Sequence, residues 1–131
     1  MMLGKIMVVD DEPNVREIVK LHLEQKGFVV LEASDGEQAL NLLMLGSNLV
    51  SVGMVLCDIR MPKVNGLEVI DCLKKEAPSI PIVVITGYPD THMAVTLLKS
   101  GVRDYLVKPI EKEKLLETVE AVMAVGRDYE T

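Results

Sequence analysis

Lys5-Ile6-Met7-Val8-Val9-Asp10-Asp11-Glu12-Pro13, residues 5–13, decides how this chain folds. The apolar run that ends at Val9 shows no alternation with polar residues, as expected of a strand covered on both faces of a parallel sheet. Two carboxylates, Asp10 and Asp11, end the run. Pro13 then opens a helix, since its missing N–H and fixed φ suit the first helical position. Val15, Ile18, Val19 and Leu23 follow at helical spacing and are expected to face inward, and Gly27 stops the helix. Strand, acidic turn and helix form the first half of a βαβ unit.

The same alternation recurs along the chain. Further strand-length apolar runs lie at residues 28–32, 53–57, 82–86 and 104–107. Helical patterns separate them: one opening at Ser34-Asp35-Gly36-Glu37 in a capping-box pattern, one over about 66–77 ended by Pro78, and one over about 91–100 before Gly101. A last helix carries Leu115, Leu116, Val119, Val122 and Met123 on one face. Five alternations predict an α/β fold, a doubly wound five-stranded parallel sheet with right-handed crossovers. Residues 46–53 are poorly patterned and read as a surface loop; Leu45, Leu49, Val50 and Met54, in or beside it, either tuck onto the core or make it sticky and available for dimer or partner contact. The domain is expected over residues 4–125, with 126–131 a C-terminal tail or the start of a linker.

Composition narrows the function. A chain of 131 residues can bury roughly two-thirds of its unfolded surface in a single domain. Cys57 and Cys72 fall in apolar and helical patterns without CxxC spacing, so they read as buried small hydrophobes of a reducing compartment. No run is long enough to span a bilayer and the start has no apolar signal stretch, so a cytoplasmic location is expected, without membrane association. A net charge of -6 repels a phosphate backbone, and 3% aromatic residues give no base-stacking platform, so direct nucleic-acid binding by this chain is not expected.

Chemistry should gather where the strands end, because open α/β sheets bind ligands outside the carboxyl ends of their strands. Those ends carry Asp10 and Asp11, Asp58, Thr86 and Lys108. Any one of the aspartates could be a cap or turn residue. Capping does not call for three carboxylates, a threonine and a lysine on one sheet edge. Clustered carboxylates repel one another unless a cation sits among them, and an all-oxygen site suits Mg2+, or Mn2+. With Lys108 they roughly balance in charge and would accept a phosphoryl group transferred in line. Asp58, alone at the end of the central strand, is the expected nucleophile, giving an acyl phosphate. Asp10 and Asp11 hold the metal, Lys108 pairs with a phosphoryl oxygen, and Thr86 donates a hydrogen bond to another.

Four segments in this order resemble the receiver domains of two-component response regulators: Val8-Val9-Asp10-Asp11-Glu12; Cys57-Asp58-Ile59-Arg60-Met61-Pro62 with Asn65-Gly66; Ile85-Thr86-Gly87; and Asp104-Tyr105-Leu106-Val107-Lys108-Pro109. The resemblance implies a flavodoxin-like strand order 2-1-3-4-5, an arrangement for which a chemotaxis receiver is an established example. It makes Asp58 the phosphoacceptor and places the metal among Asp10, Asp11, Asp58 and the backbone carbonyl of Arg60. It also makes Thr86 and Tyr105 the switch pair, and Lys108 the lysine that precedes a usually cis proline. The implied function is phosphorelay signal transduction. A phosphohistidine of a sensor histidine kinase or phosphotransfer protein donates to Asp58 with Mg2+, and the face of the fourth helix, fifth strand and fifth helix then controls an output domain or a separate effector protein. Dimerisation on phosphorylation is a further expectation. The chain would be no enzyme beyond catalysing its own phosphorylation and dephosphorylation. It departs from the family in a longer segment before Asp58, which lacks the usual acidic residue ahead of the third strand.

Other classes fit less well. A flavin module of this topology needs a phosphate loop where Asp10-Asp11-Glu12 would repel phosphate. An aspartate-nucleophile phosphatase should carry an Asp where Arg60 stands, and no Walker A sequence supports nucleotide hydrolysis. A protein-interaction domain that is never phosphorylated stays as an alternative, for motif matches can be fortuitous. His22 and His92 lie on helices, apart from any cysteine or second histidine.

Overall fold

In a computed structural model, which describes residues 3–59, 66–87 and 91–130, five parallel strands lie in the order β2-β1-β3-β4-β5. They are β1 (Lys5–Val9), β2 (Val29–Ala33), β3 (Val52–Asp58), β4 (Ile82–Thr86) and β5 (Asp104–Val107). The helices are α1 (Pro13–Lys26), α2 (Gly36–Leu43), α3 (Asn48–Ser51), α4 (Gly66–Glu76), α5 (Thr91–Lys99) and α6 (Lys112–Glu130). This is the flavodoxin-like order that the resemblance implies.

The strand period of two divides the core. Ile6, Val8, Met54, Leu56, Val83 and Ile85 point to one face, where Val19 and Leu23 of α1 and Leu115 and Val119 of α6 cover them. Met7, Val9, Val55, Cys57, Ile82 and Val84 point to the other, against Ala39 and Leu43 of α2, Val69 and Leu73 of α4 and Leu97 of α5. Apolar side chains at successive positions are therefore required in β1, β3 and β4, and all but Lys5 and Gly53 of those strands are buried. The outer strands β2 and β5 pair on one side only and stay partly open.

Two helices end in the same device. Gly27, at φ 111°, lets its own N–H reach Glu24 O and that of Phe28 reach Leu23 O, while buried Phe28 and Leu23 close the turn with an apolar contact. Gly101, at φ 107°, and Val102 repeat the pattern on Leu98 O and Leu97 O. Each motif turns the chain directly into the next strand.

The structure moves several boundaries. The second strand is Val29–Ala33 rather than residues 28–32, because Phe28 is taken by the α1 cap. The expected loop at 46–53 contains the single turn α3, held by Asn48 Nδ2 donating to Leu42 O at 2.6 Å, and β3 begins at Val52. Met54, part of the apolar run 53–57, is fully buried in β3 and takes the core alternative. Leu49 packs on the core, while Leu45 and Val50 stay exposed. Ile18 is 52% exposed, because the line Val15, Val19 and Leu23 takes the inner face of α1 and Ile18 sits on its shoulder. The α2 cap is Asp35, whose carboxylate accepts from Gln38 N while Gln38 Oε1 accepts from Ser34 N, one residue later than the sequence pattern suggests. Helix α6 runs on through 126–130, the segment expected as tail or linker. No described helix is long and apolar enough to cross a membrane.

Leu23→Ala should cost about 2–5 kcal/mol by removing a fully buried side chain, and Gly27→Ala about 1–2 kcal/mol by forcing a Cβ into left-handed backbone. Val50→Ala, at a position 87% exposed, should change stability by less than about 0.5 kcal/mol. Urea denaturation measures all three, and equal losses at Leu23 and Val50 would contradict this assignment of the core.

Candidate functional site

Each strand of the sheet's centre ends at the same rim. Asp10 follows β1 and is 0% exposed, Asp58 closes β3 nearly as deeply, and Thr86, also buried, closes β4. Lys108 comes one residue after β5, its backbone N–H donating to Thr86 O at 2.8 Å, and the Lys108–Pro109 peptide is cis. Parallel pairing in register, with Val9 beside Cys57 and Asp58 beside Ile85, brings these ends together across the chain.

The side chains converge on one ammonium. Lys108 Nζ lies 3.0 Å from Asp10 Oδ2, 3.1 Å from Asp58 Oδ2 and 2.7 Å from Glu12 Oε1. Burial alone would pull the Lys108 pKa down. Close contacts with the carboxylates of Glu12, Asp10 and Asp58, with the charge of Asp10, outweigh that and raise it above the ordinary lysine value. The β1–α1 turn is tied from inside: Asp10 Oδ1 accepts from Glu12 N at 2.8 Å, and Arg16 Nη1 donates to Asp10 O at 2.7 Å.

Carboxylate oxygens of Asp10, Asp11, Glu12 and Asp58 all lie within 4.8 Å of one another. Three of these four were singled out from sequence, and the structure gathers them. Asp10 Oδ2 is buried without a hydrogen bond of good geometry, although the Lys108 ammonium stands 3.0 Å away. An all-oxygen donor set with one such atom fits a hard divalent cation. Arg60, the expected carbonyl ligand, lies outside the described residues. Tyr105, the expected switch partner of Thr86, stands on β5 with its side chain 37% exposed.

Two contributors escaped the sequence reading. Glu12 was legible only as the third member of an acidic run, and Arg16 carried no signal, since its partner is a backbone carbonyl six residues earlier. His22 lies outside the acidic cluster, beside a 170 Å3 cavity lined by Val15, Val19, Ile110 and Leu115. Cys57, next to Asp58, is fully buried. Desolvation first, and then the charges of Asp58 and Asp10, push its thiol far above the usual range, which keeps it protonated and unreactive.

A family model described as the response regulator receiver domain matches residues 6–120. Similar curated proteins include the probable transcriptional regulator ycf27 of Guillardia theta, 36% identical over 119 residues, and the transcriptional regulatory protein ZraR of Klebsiella oxytoca, 38% identical over 122. These alignments take in 91% and 93% of this chain, which spans 45% and 27% of those proteins. Among solved structures, a response regulator receiver domain protein from Clostridium thermocellum superposes with a TM-score of 0.87 at 30% identity, covering 95% of this chain and 97% of that one. NtrX from Brucella abortus, in complex with ADP, superposes at 0.88 and 28% identity, covering 99% of this chain and 29% of that one.

The raised Lys108 pKa means that the folded protein binds this proton more tightly than the unfolded chain does. The resulting stability is complete below the ordinary lysine value of about 10.5 and is lost as pH rises through the higher folded value. With metal chelated, the gap in urea midpoint between wild type and Lys108→Ala should hold from neutral pH to mildly alkaline pH and narrow above the ordinary lysine range. A gap that widens there would contradict the ion-pair geometry. Thiol labelling of the native protein should modify half-buried Cys72 well before Cys57, with both reacting in denaturant.

Proposed function

The chain belongs to the response regulator receiver domain family, and on that premise we propose that Asp58 accepts a phosphoryl group from a phosphohistidine of a sensor kinase or phosphotransfer protein. The observation that carries this reading is the contact of Lys108 Nζ with Asp58 Oδ2 at 3.1 Å inside a cluster of carboxylates at the carboxyl rim of the sheet.

An Asp58 carboxylate oxygen forms the new bond to phosphorus as the P–N bond of the donor breaks, and the bonding pair leaves with the imidazole nitrogen, which takes up a proton from water. Lys108 neutralises one phosphoryl oxygen and the Thr86 hydroxyl donates to another. A magnesium or manganese ion held by Asp10, Asp11 and Asp58, with the Arg60 carbonyl that the family pattern adds, would offset the charge gathered at the transferring group. Hydrolysis of the same acyl phosphate returns the protein to rest, so the chain catalyses its own phosphorylation and dephosphorylation and no other reaction.

The output follows from the position of Thr86. A hydroxyl drawn toward a phosphorylated Asp58 vacates room on the β4 side, and Tyr105 can turn inward from its half-open place on β5. The face that changes is α5, β5 and α6, since the extra turn α3 advances the helix count by one. Val95, Leu98, Tyr105 and Val107 already present exposed apolar surface on α5 and β5, which supports a partner or output domain docking there, or a second copy on phosphorylation.

Incubation with acetyl phosphate and Mg2+, followed by intact mass measurement, should add one phosphoryl group to wild type, none to Asp58→Asn and none after chelation. Equal labelling of both proteins would remove Asp58 from this role. Lys108→Ala should keep its metal affinity yet lose the chemical-shift response of α5 and β5 to phosphorylation, whereas Asp11→Ala should lose metal affinity.

A further inference from the structure

Glu12 occupies the N-cap position of α1, yet its carboxylate caps nothing there. Its backbone N–H serves Asp10, and its side chain, 58% exposed at the rim, reaches across to Lys108 at 2.7 Å, the shortest of that lysine's three carboxylate contacts. The two residues stand 96 positions apart, so only the closed sheet brings them together.

The three carboxylates on Lys108 are not equivalent. Asp10 Oδ2 and Asp58 Oδ2 are buried oxygens of the cluster that a divalent cation would draw upon, and such an ion would also repel the ammonium from them. Glu12 lies outermost, where its oxygen can stay with the lysine while the ion takes the inner ones. We propose that Glu12 is a positioning residue that keeps the Lys108 ammonium over the mouth of the site once the ion is bound, ready to meet the phosphoryl oxygens. This rests on Asp58 being the phosphoacceptor. A negative charge at the rim that acted only by repelling an anionic donor would have the opposite consequence, since removing it would ease donor binding.

The test compares wild type, Glu12→Gln, Lys108→Met and the double variant at saturating Mg2+, timing phosphorylation across a range of acetyl phosphate concentrations. The side-chain ammonium signal of Lys108 is followed by nitrogen-resolved NMR on the Mg2+-loaded protein. Glu12→Gln should raise the half-saturating acetyl phosphate concentration about two- to fivefold, the reach of an exposed ion pair, with little change in limiting rate. It should add nothing in the Lys108→Met background, and the Lys108 ammonium signal should be lost to fast exchange with water. A lower half-saturating concentration, an equal change in both backgrounds, or an undisturbed ammonium signal would overturn the proposal. If Lys108→Met accepts too little phosphate to time, the ammonium signal decides alone. Failure of wild type to take up phosphate would instead overturn the phosphoacceptor reading of Asp58.

Discussion

One ammonium among carboxylates is the constraint around which the rim of this sheet is arranged. Lys108 Nζ has oxygens of Asp10, Glu12 and Asp58 within 3.1 Å, and two of the three belong to buried residues. Buried like charges are costly unless paired, so the inner carboxylates need Lys108 or a metal ion among them. On the proposed phosphotransfer, a site that depends on a cation for its charge balance would see that balance shift when a phosphoryl group arrives. Stability and responsiveness thus come from the same few atoms.

The sheet makes that crowding possible. Parallel strands in register carry all their carboxyl ends to one edge, and the two-sided core behind them, with α1 and α6 on one face and α2, α4 and α5 on the other, leaves the strand ends little freedom to retreat. The outer strand β5 is packed less completely, and Tyr105 and Val107 remain partly exposed on it. Asp58 thus sits in the fully packed centre of the sheet and Tyr105 on its partly open edge, and the proposed switch would need the edge alone to repack.

Strands β1, β4 and β5 stand where their apolar runs predict, because each run is bounded by residues that cannot continue it. The second strand slid by one residue because Phe28 serves the helix cap, a role set by the apolar contact with Leu23 rather than by its own propensity. The segment before β3 carried no periodicity, and a four-residue helix is too short to have any; its anchor, Asn48 on Leu42 O, is a side-chain contact with a backbone group. Ile18 was misplaced for another reason: an apolar residue at i+3 can fall on either side of a helix's buried stripe, and only the neighbouring elements decide which.

Residue order alone determined the α/β alternation, the strand ends that bear Asp10, Asp11, Asp58, Thr86 and Lys108, and their likeness to one family, since apolar runs and the residues that close them are local properties of the chain. Tertiary structure alone decided that Glu12 and Arg16 belong with them and that Lys108 stands among three carboxylates. Those are relations between residues far apart in the chain or between a side chain and a backbone atom, and no spacing rule encodes them, because closing the sheet is what brings the groups within hydrogen-bonding distance.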